Sequence, residues 1–189
     1  LRVKDPDDSS DLVEKIMDKA GQKGTGLWTV VSALELGASV PTIYASLNGR
    51  VMSSMKDQRI HAETILRGHS PSFVDFGQPS DGMPLLMDAV VLATIASYAQ
   101  GMDILRLASD EYNYELDMPS IAQIWKGGCI IRSTLLSRIQ DAFKKDPKLS
   151  NLILDSWFTD QVNNRLTGLT QVVSAAANAG IPVPCLSST

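Results

Sequence analysis

Apolar side chains recur at every third or fourth position along most of this chain, the spacing of amphipathic helices. Leu12, Val13, Ile16, Met17 and Ala20 share one face of a predicted helix, DLVEKIMDKA, with Ser9 or Ser10 as its cap and Gly21 at its end. GQKGTG reads as a tight loop, and Thr25 can cap a second helix, GLWTVVSALEL, that stops at Gly37. Pro41 suits the first turn of a third helix, PTIYASLNGRVMSSMKDQRIHAETILR. That helix is expected to run to about Gly68, with a bend near Asn48-Gly49. The stretch GHSPSFVDFGQPSDG, residues 68–82, is rich in Gly, Pro and Ser and reads as a loop.

Pro84 is expected to open a long helix, LLMDAVVLATIASYAQGMDILRLASDEY. From Leu85 to Ala99 it is interrupted by Asp88, Thr94, Ser97 and Tyr98 alone, so it should be buried in a core or against a partner. The uninterrupted run is too short to span a membrane, and Asp88 breaks it. Pro119-Ser120 starts SIAQIW; CIIRSTLLSRIQDAFKKD follows Gly127-Gly128, and Asp146-Pro147 ends it. A last helix runs from about Ser156 to Ala179. No stretch alternates with period two beyond a few residues, so the expected class is all-α.

Composition narrows the function classes. The 189 residues include 17 Lys+Arg against 21 Asp+Glu, a net charge of −4, which supplies no basic footprint for nucleic acid. The chain is 44% hydrophobic and 20% charged, like an ordinary globular protein. Cys129 and Cys185 form no C-x-x-C pair and read as reduced thiols of a cytoplasmic protein. The first residues, LRVKDPDDSS, carry no signal-peptide core, and the start without Met reads as a piece of something longer.

Candidate chemistry is sparse. Gly21 to Gly26 spell G-x-x-G-x-G, which is neither the G-x-G-x-x-G order of a dinucleotide site nor a Walker A loop. A glycine loop opening a helix favours an anion through free N–H groups and the positive dipole end. Lys23 adds a charge there and Thr25 a hydroxyl, yet a plain capping turn explains the same residues. Arg50, beside Tyr44, Leu47 and Val51, fits either a snorkelling surface residue or an anion clamp. His61 and His69 have no metal-ligand pattern around them, and Trp28, Trp125 and Trp157 read as core or interface anchors.

Four strings in order, AGQKGTGLWTVVSALELG, SLNGRVMSSMKDQRI, IAQIWKGGCIIRSTLLSRIQDAF and AANAGIPVPCLSS, resemble the C-terminal all-α domain of 6-phosphogluconate dehydrogenase. The resemblance runs from about Asp11 to Ser188. It implies an oxidoreductase that decarboxylates 6-phosphogluconate to ribulose 5-phosphate, usually with NADP, in the pentose phosphate pathway of gluconate utilization. Such enzymes are generally homodimers paired through this domain. Family substrate positions fall on Lys23, Thr25 and Arg50, which the resemblance places on the phosphate and nearby hydroxyls. Leu27 stands where the family commonly has a basic residue, a change expected to touch surface charge.

On that reading, residues 1–189 are a helical substrate-binding and dimerisation domain fragment. The family's N-terminal Rossmann domain, its catalytic lysine and glutamate, and its C-terminal tail have no counterpart in these residues. The expectation is therefore no catalytic and no cofactor-binding residue within them, and a piece inactive alone. Two rivals remain: a non-catalytic helical interaction module, and a related 3-hydroxyacid dehydrogenase.

Overall fold

In the computed structural model, the structure describes residues 3–66 and 79–189. Eight α-helices occur among them: α1 (Thr25–Glu35), α2 (Pro41–Ser54), α3 (Lys56–Ile65), α4 (Pro79–Tyr112), α5 (Met118–Ile124), α6 (Leu135–Lys145), α7 (Ser156–Asn178) and α8 (Pro184–Ser187). No strand ladder forms among the described residues, beyond an isolated bridge between Lys4 and Asp11. The all-α expectation holds.

The centre is α4 packed along α7, flanked by the α5–α6 pair. Ala89, Leu92, Ile95, Ala99 and Met102 form the buried stripe of α4, spaced three or four apart. They share one buried core with Phe158, Leu169 and Val172 of α7 and Leu136, Ile139 and Phe143 of α6. The helices cross closely at Gly168, where a Cβ would lie 2.8 Å from the Cβ of Asp88. Asp88 is not stranded by its place in the apolar run, because Arg165 of α7 stands 3.4 Å from its carboxylate.

Within this chain the core takes only one face of α4. A second stripe, Met83, Leu86, Met87 and Val90, is exposed, because α7 and α6 cover one side of the cylinder. By length and composition Gly82–Tyr112 would also pass as a membrane span, a longer stretch than the apolar run alone suggests. Pro84 lies inside α4, five residues past its start at Pro79, and so does not open the helix as expected. Of the expected 68–82 loop, residues 67–78 and with them His69 lie outside the described residues.

The first expected helix is the largest correction. DLVEKIMDKA forms a single 3₁₀ turn, Leu12–Lys15, with no buried residue, and Ile16 and Met17 are exposed. A ten-residue helix is marginal unless a neighbour covers its apolar face, and none does. Gly21 accordingly ends no helix. The third expected helix breaks at Met55 rather than bending at Asn48-Gly49. CIIRST is a non-helical turn, with α6 starting at Leu135. Gly37 does close α1, at φ 71°. The short α8 after Pro182 and Val183 was not foreseen. Trp125 and Trp157 pack against the core, whereas Trp28 is exposed.

The N-terminus of α2 is held from outside the helix. The Gln100 side-chain carbonyl accepts from the backbone N–H of Thr42 and of Ile43, both at 3.2 Å. Buried Thr42 in turn donates its hydroxyl to the Ser188 carbonyl at 2.9 Å, tying α2 to the residues following α8.

Candidate anion site between the first two helices

The path of residues 18–24 decides where Lys23 sits. Ala20 N–H donates to Ser53 Oγ at 2.9 Å, and Arg50 donates to the Gly21 carbonyl. Arg59 of α3 reaches Asp18 by its carboxylate at 2.8 Å and by its carbonyl at 3.0 Å. Gly24 then turns the chain at φ 99°, a left-handed conformation suited to glycine, and caps α1. A side chain there would also press on the Trp28 ring, 3.3 Å from the Cβ position. Thr25 is thus the first helical residue rather than the cap.

The Trp28 N–H makes the first bond of α1, to the Gly24 carbonyl at 2.9 Å. The N–H groups of Thr25, Gly26 and Leu27 precede it and have no intrahelical acceptor. Opposite them, Ile43, Ser46, Leu47 and Arg50 of α2 recur at i, i+3, i+4 and i+7 and present one face. A cavity of about 180 Å³ lies between, lined by Gln22, Lys23, Thr25, Gly26 and these four α2 residues. All three sequence candidates, Lys23, Thr25 and Arg50, line it together.

No carboxylate lines this cavity, while two cations and two hydroxyls do. Arg50 uses part of its guanidinium on Gly21, leaving other N–H donors for a ligand. The set suits a tetrahedral oxyanion: fork-shaped and point cations, the Thr25 hydroxyl and a helix N-terminus, while the Ser46 hydroxyl donates to the Ile43 carbonyl at 2.7 Å. Its cations and N–H donors can hold and orient such a ligand. Ser46 and Gln22 were missed from sequence; Ser46 was findable, one helical turn before Arg50. Leu27 is exposed, as expected of a surface change.

Beside this cavity runs a larger apolar groove of about 1170 Å³, sharing Thr25, Ile43 and Ser46 with it. Trp28, Val90 and Ile130 are exposed along its walls. Tyr98 lies in it and donates to the Ile131 carbonyl; burial pushes its phenol pKa above the ordinary value. Cys129 and Cys185 are free thiols. No cluster of His, Cys, Asp or Glu suited to a metal occurs among the described residues. The Gly21–Gly26 loop follows irregular backbone rather than a strand, so it is not the βα turn of a dinucleotide fingerprint.

The 6-phosphogluconate dehydrogenase C-terminal domain family matches residues 1–189. The decarboxylating 6-phosphogluconate dehydrogenase of Synechocystis is 46% identical over 185 residues, covering 98% of this chain and 38% of that protein. The NADP(+)-dependent, decarboxylating enzyme of Bacillus subtilis is 42% identical, covering 98% of this chain and 39% of its own length. The chain thus spans about two fifths of these relatives. Among solved structures, Plasmodium falciparum 6-phosphogluconate dehydrogenase, studied apo and with NADP+ and 6-phosphogluconate, superposes at TM-score 0.90 with 38% identity. That alignment covers 97% of this chain and 39% of the other. On this match across its whole length, the chain belongs to the 6-phosphogluconate dehydrogenase family, as its C-terminal helical domain.

Proposed function

We propose that this chain anchors the substrate phosphate within an NADP-dependent enzyme that oxidatively decarboxylates 6-phosphogluconate to ribulose 5-phosphate. The observation that carries the reading is the convergence of Lys23, Thr25 and Arg50 on one carboxylate-free cavity at the α1 N-terminus. In this reading Lys23 and Arg50 pair with the phosphate, and Thr25 with a phosphate oxygen or adjacent hydroxyl. The cations position the sugar acid and leave proton and hydride movements to groups outside these residues. NADP belongs with a Rossmann domain that residues 1–189 do not supply. Pairing into a homodimer through this domain is supported by the apolar groove and the exposed α4 stripe, a surface that needs a cover. The cytoplasmic, pentose phosphate pathway setting follows from the same activity.

A non-catalytic helical module would be free to lose the cation pair, yet both cations stand on the cavity. Kinetics of single variants in the full-length enzyme test the assignment. Each charge-assisted contact contributes about 1.5–3 kcal/mol. Lys23→Ala or Arg50→Ala should therefore weaken 6-phosphogluconate binding by about ten- to a hundredfold. The effect should appear mainly in KM and shrink for gluconate, which lacks the phosphate. A KM for 6-phosphogluconate unmoved in both variants would remove the site.

A further inference from the structure

Lys23 makes no ion pair or hydrogen bond among the described residues, so its position is inherited from the backbone on either side. On the C-terminal side α1 fixes it. On the N-terminal side residues 12–20 bury no apolar side chain; Ile16 and Met17 point to solvent. Packing therefore does not hold that segment, and polar ties must. The tie with the most bonds is Arg59. Its guanidinium donates to the Asp18 carboxylate at 2.8 Å, the Asp18 carbonyl at 3.0 Å, the Ser53 carbonyl at 3.1 Å and the Met52 carbonyl at 3.2 Å.

Two of those acceptors are carbonyls at the end of α2, where the helix breaks at Met55; the Met52 carbonyl also accepts the Met55 N–H at 3.2 Å. The break also lets α3 turn back and place Arg59 under the α2 end. One planar fork thus joins the end of the helix bearing Arg50 to the start of the loop bearing Lys23. Arg59 does not line the cavity. We propose that Arg59 is a positioning residue of the anion site: through residues 18–21 it sets the distance between Lys23 and Arg50. The proposal rests on the phosphate-anchoring reading above.

The test is phosphate binding by the purified protein, with inorganic phosphate as probe, measured by calorimetry or as competition against 6-phosphogluconate. Arg59→Lys keeps the charge but cannot satisfy four acceptors at once. It should weaken phosphate binding about three- to thirtyfold, the range for residues that act through others. In a Lys23→Ala background the same change should add less than about twofold, because the residue it positions is gone. Asp18→Asn keeps an oxygen acceptor and should bind phosphate near the parent level, whereas Asp18→Ala should follow Arg59→Lys. If Arg59→Lys does not fold, the Asp18 pair carries the test alone.

Three results would overturn the proposal. Lys23→Ala weakens phosphate while Arg59→Lys and Asp18→Ala stay within about twofold: the anion site stands and the positioning role falls. The unfolding midpoint drops in Arg59→Lys with phosphate affinity unmoved: the arginine is merely structural. Lys23→Ala itself has no effect on phosphate: the anchoring reading fails first, and this inference with it.

Discussion

Replacing Gly168 by alanine adds one methyl group at a close approach of α4 and α7. In isolation the change favours the helix by about 1 kcal/mol, since glycine is the poorer helix former. Here the new Cβ would stand 2.8 Å from Asp88 Cβ and 2.9 Å from its Oδ2. A carbon pair prefers about 3.5–4.0 Å, so the helices must part by roughly 1 Å. Asp88 Cβ is fixed to the α4 backbone and cannot swing aside. The neighbours along the seam, Leu92, Leu169 and Val172, then lose part of their contact energy. Overpacking of this kind costs about 1–3 kcal/mol, and here also strains the Asp88–Arg165 pair. The net expectation is destabilisation by about 1–2 kcal/mol, or about 2–8 °C in Tm for a chain of this size. Gly49→Ala is the control: it lies within α2, exposed, with nothing within 4 Å of its Cβ position. It should gain about 1 kcal/mol. Thermal unfolding followed by far-ultraviolet circular dichroism reads both. If Gly168→Ala melts at or above the parent temperature, the close-approach argument is wrong.

Other perturbations test separate contacts. Asp155 caps α7 by accepting from Trp157 N–H at 3.0 Å; Asp155→Ala should cost about 1 kcal/mol in urea unfolding, and Asp155→Asn much less. Tyr98→Phe removes the donor to the Ile131 carbonyl and should speed thiol labelling of Cys129 in the freed turn, whereas an unchanged rate would show the turn is held otherwise. The Asp18 carboxyl is held below its ordinary value of 3.8 by the Arg59 guanidinium, and Asp8 by Lys15 and Ser10. A lowered folded-state pKa gives stability that is present above 3.8 and lost as pH falls through the folded value. Amides of residues 5–20 should therefore exchange faster below about pH 4, ahead of the α4–α7 core.

The helices that bury a stripe were legible. In α6, Leu136, Ile139, Ala142 and Phe143 sit where the spacing puts them, and Phe143 ends up 3% exposed. The failures share one cause, that periodicity names an apolar face without saying what covers it. DLVEKIMDKA has as regular a face as α6, yet nothing packs on it, and it stays a 3₁₀ turn. The α4 sequence is apolar on two sides, and α7 takes one of them. The break at Met55 had no proline or glycine to announce it; Arg59, four residues on and in a different helix, donates to the Met52 and Ser53 carbonyls at that end.

The same limit explains what could be read of the site. Residue types alone left Lys23 and Arg50 each open to a bland surface role, and both are exposed. Their meaning lies in a distance between two helices, which no local pattern encodes. α2 is clamped at its start by Gln100 and at its end by Arg59, so Arg50 is carried on a helix fixed at both ends. Lys23 hangs on a segment with polar ties and no core. One cation of the pair is therefore set by the rigid bundle and the other by hydrogen bonds that water can compete for. Anion affinity should accordingly be more sensitive to changes around residues 18–24 than to equal losses of stability in the α4–α7 core.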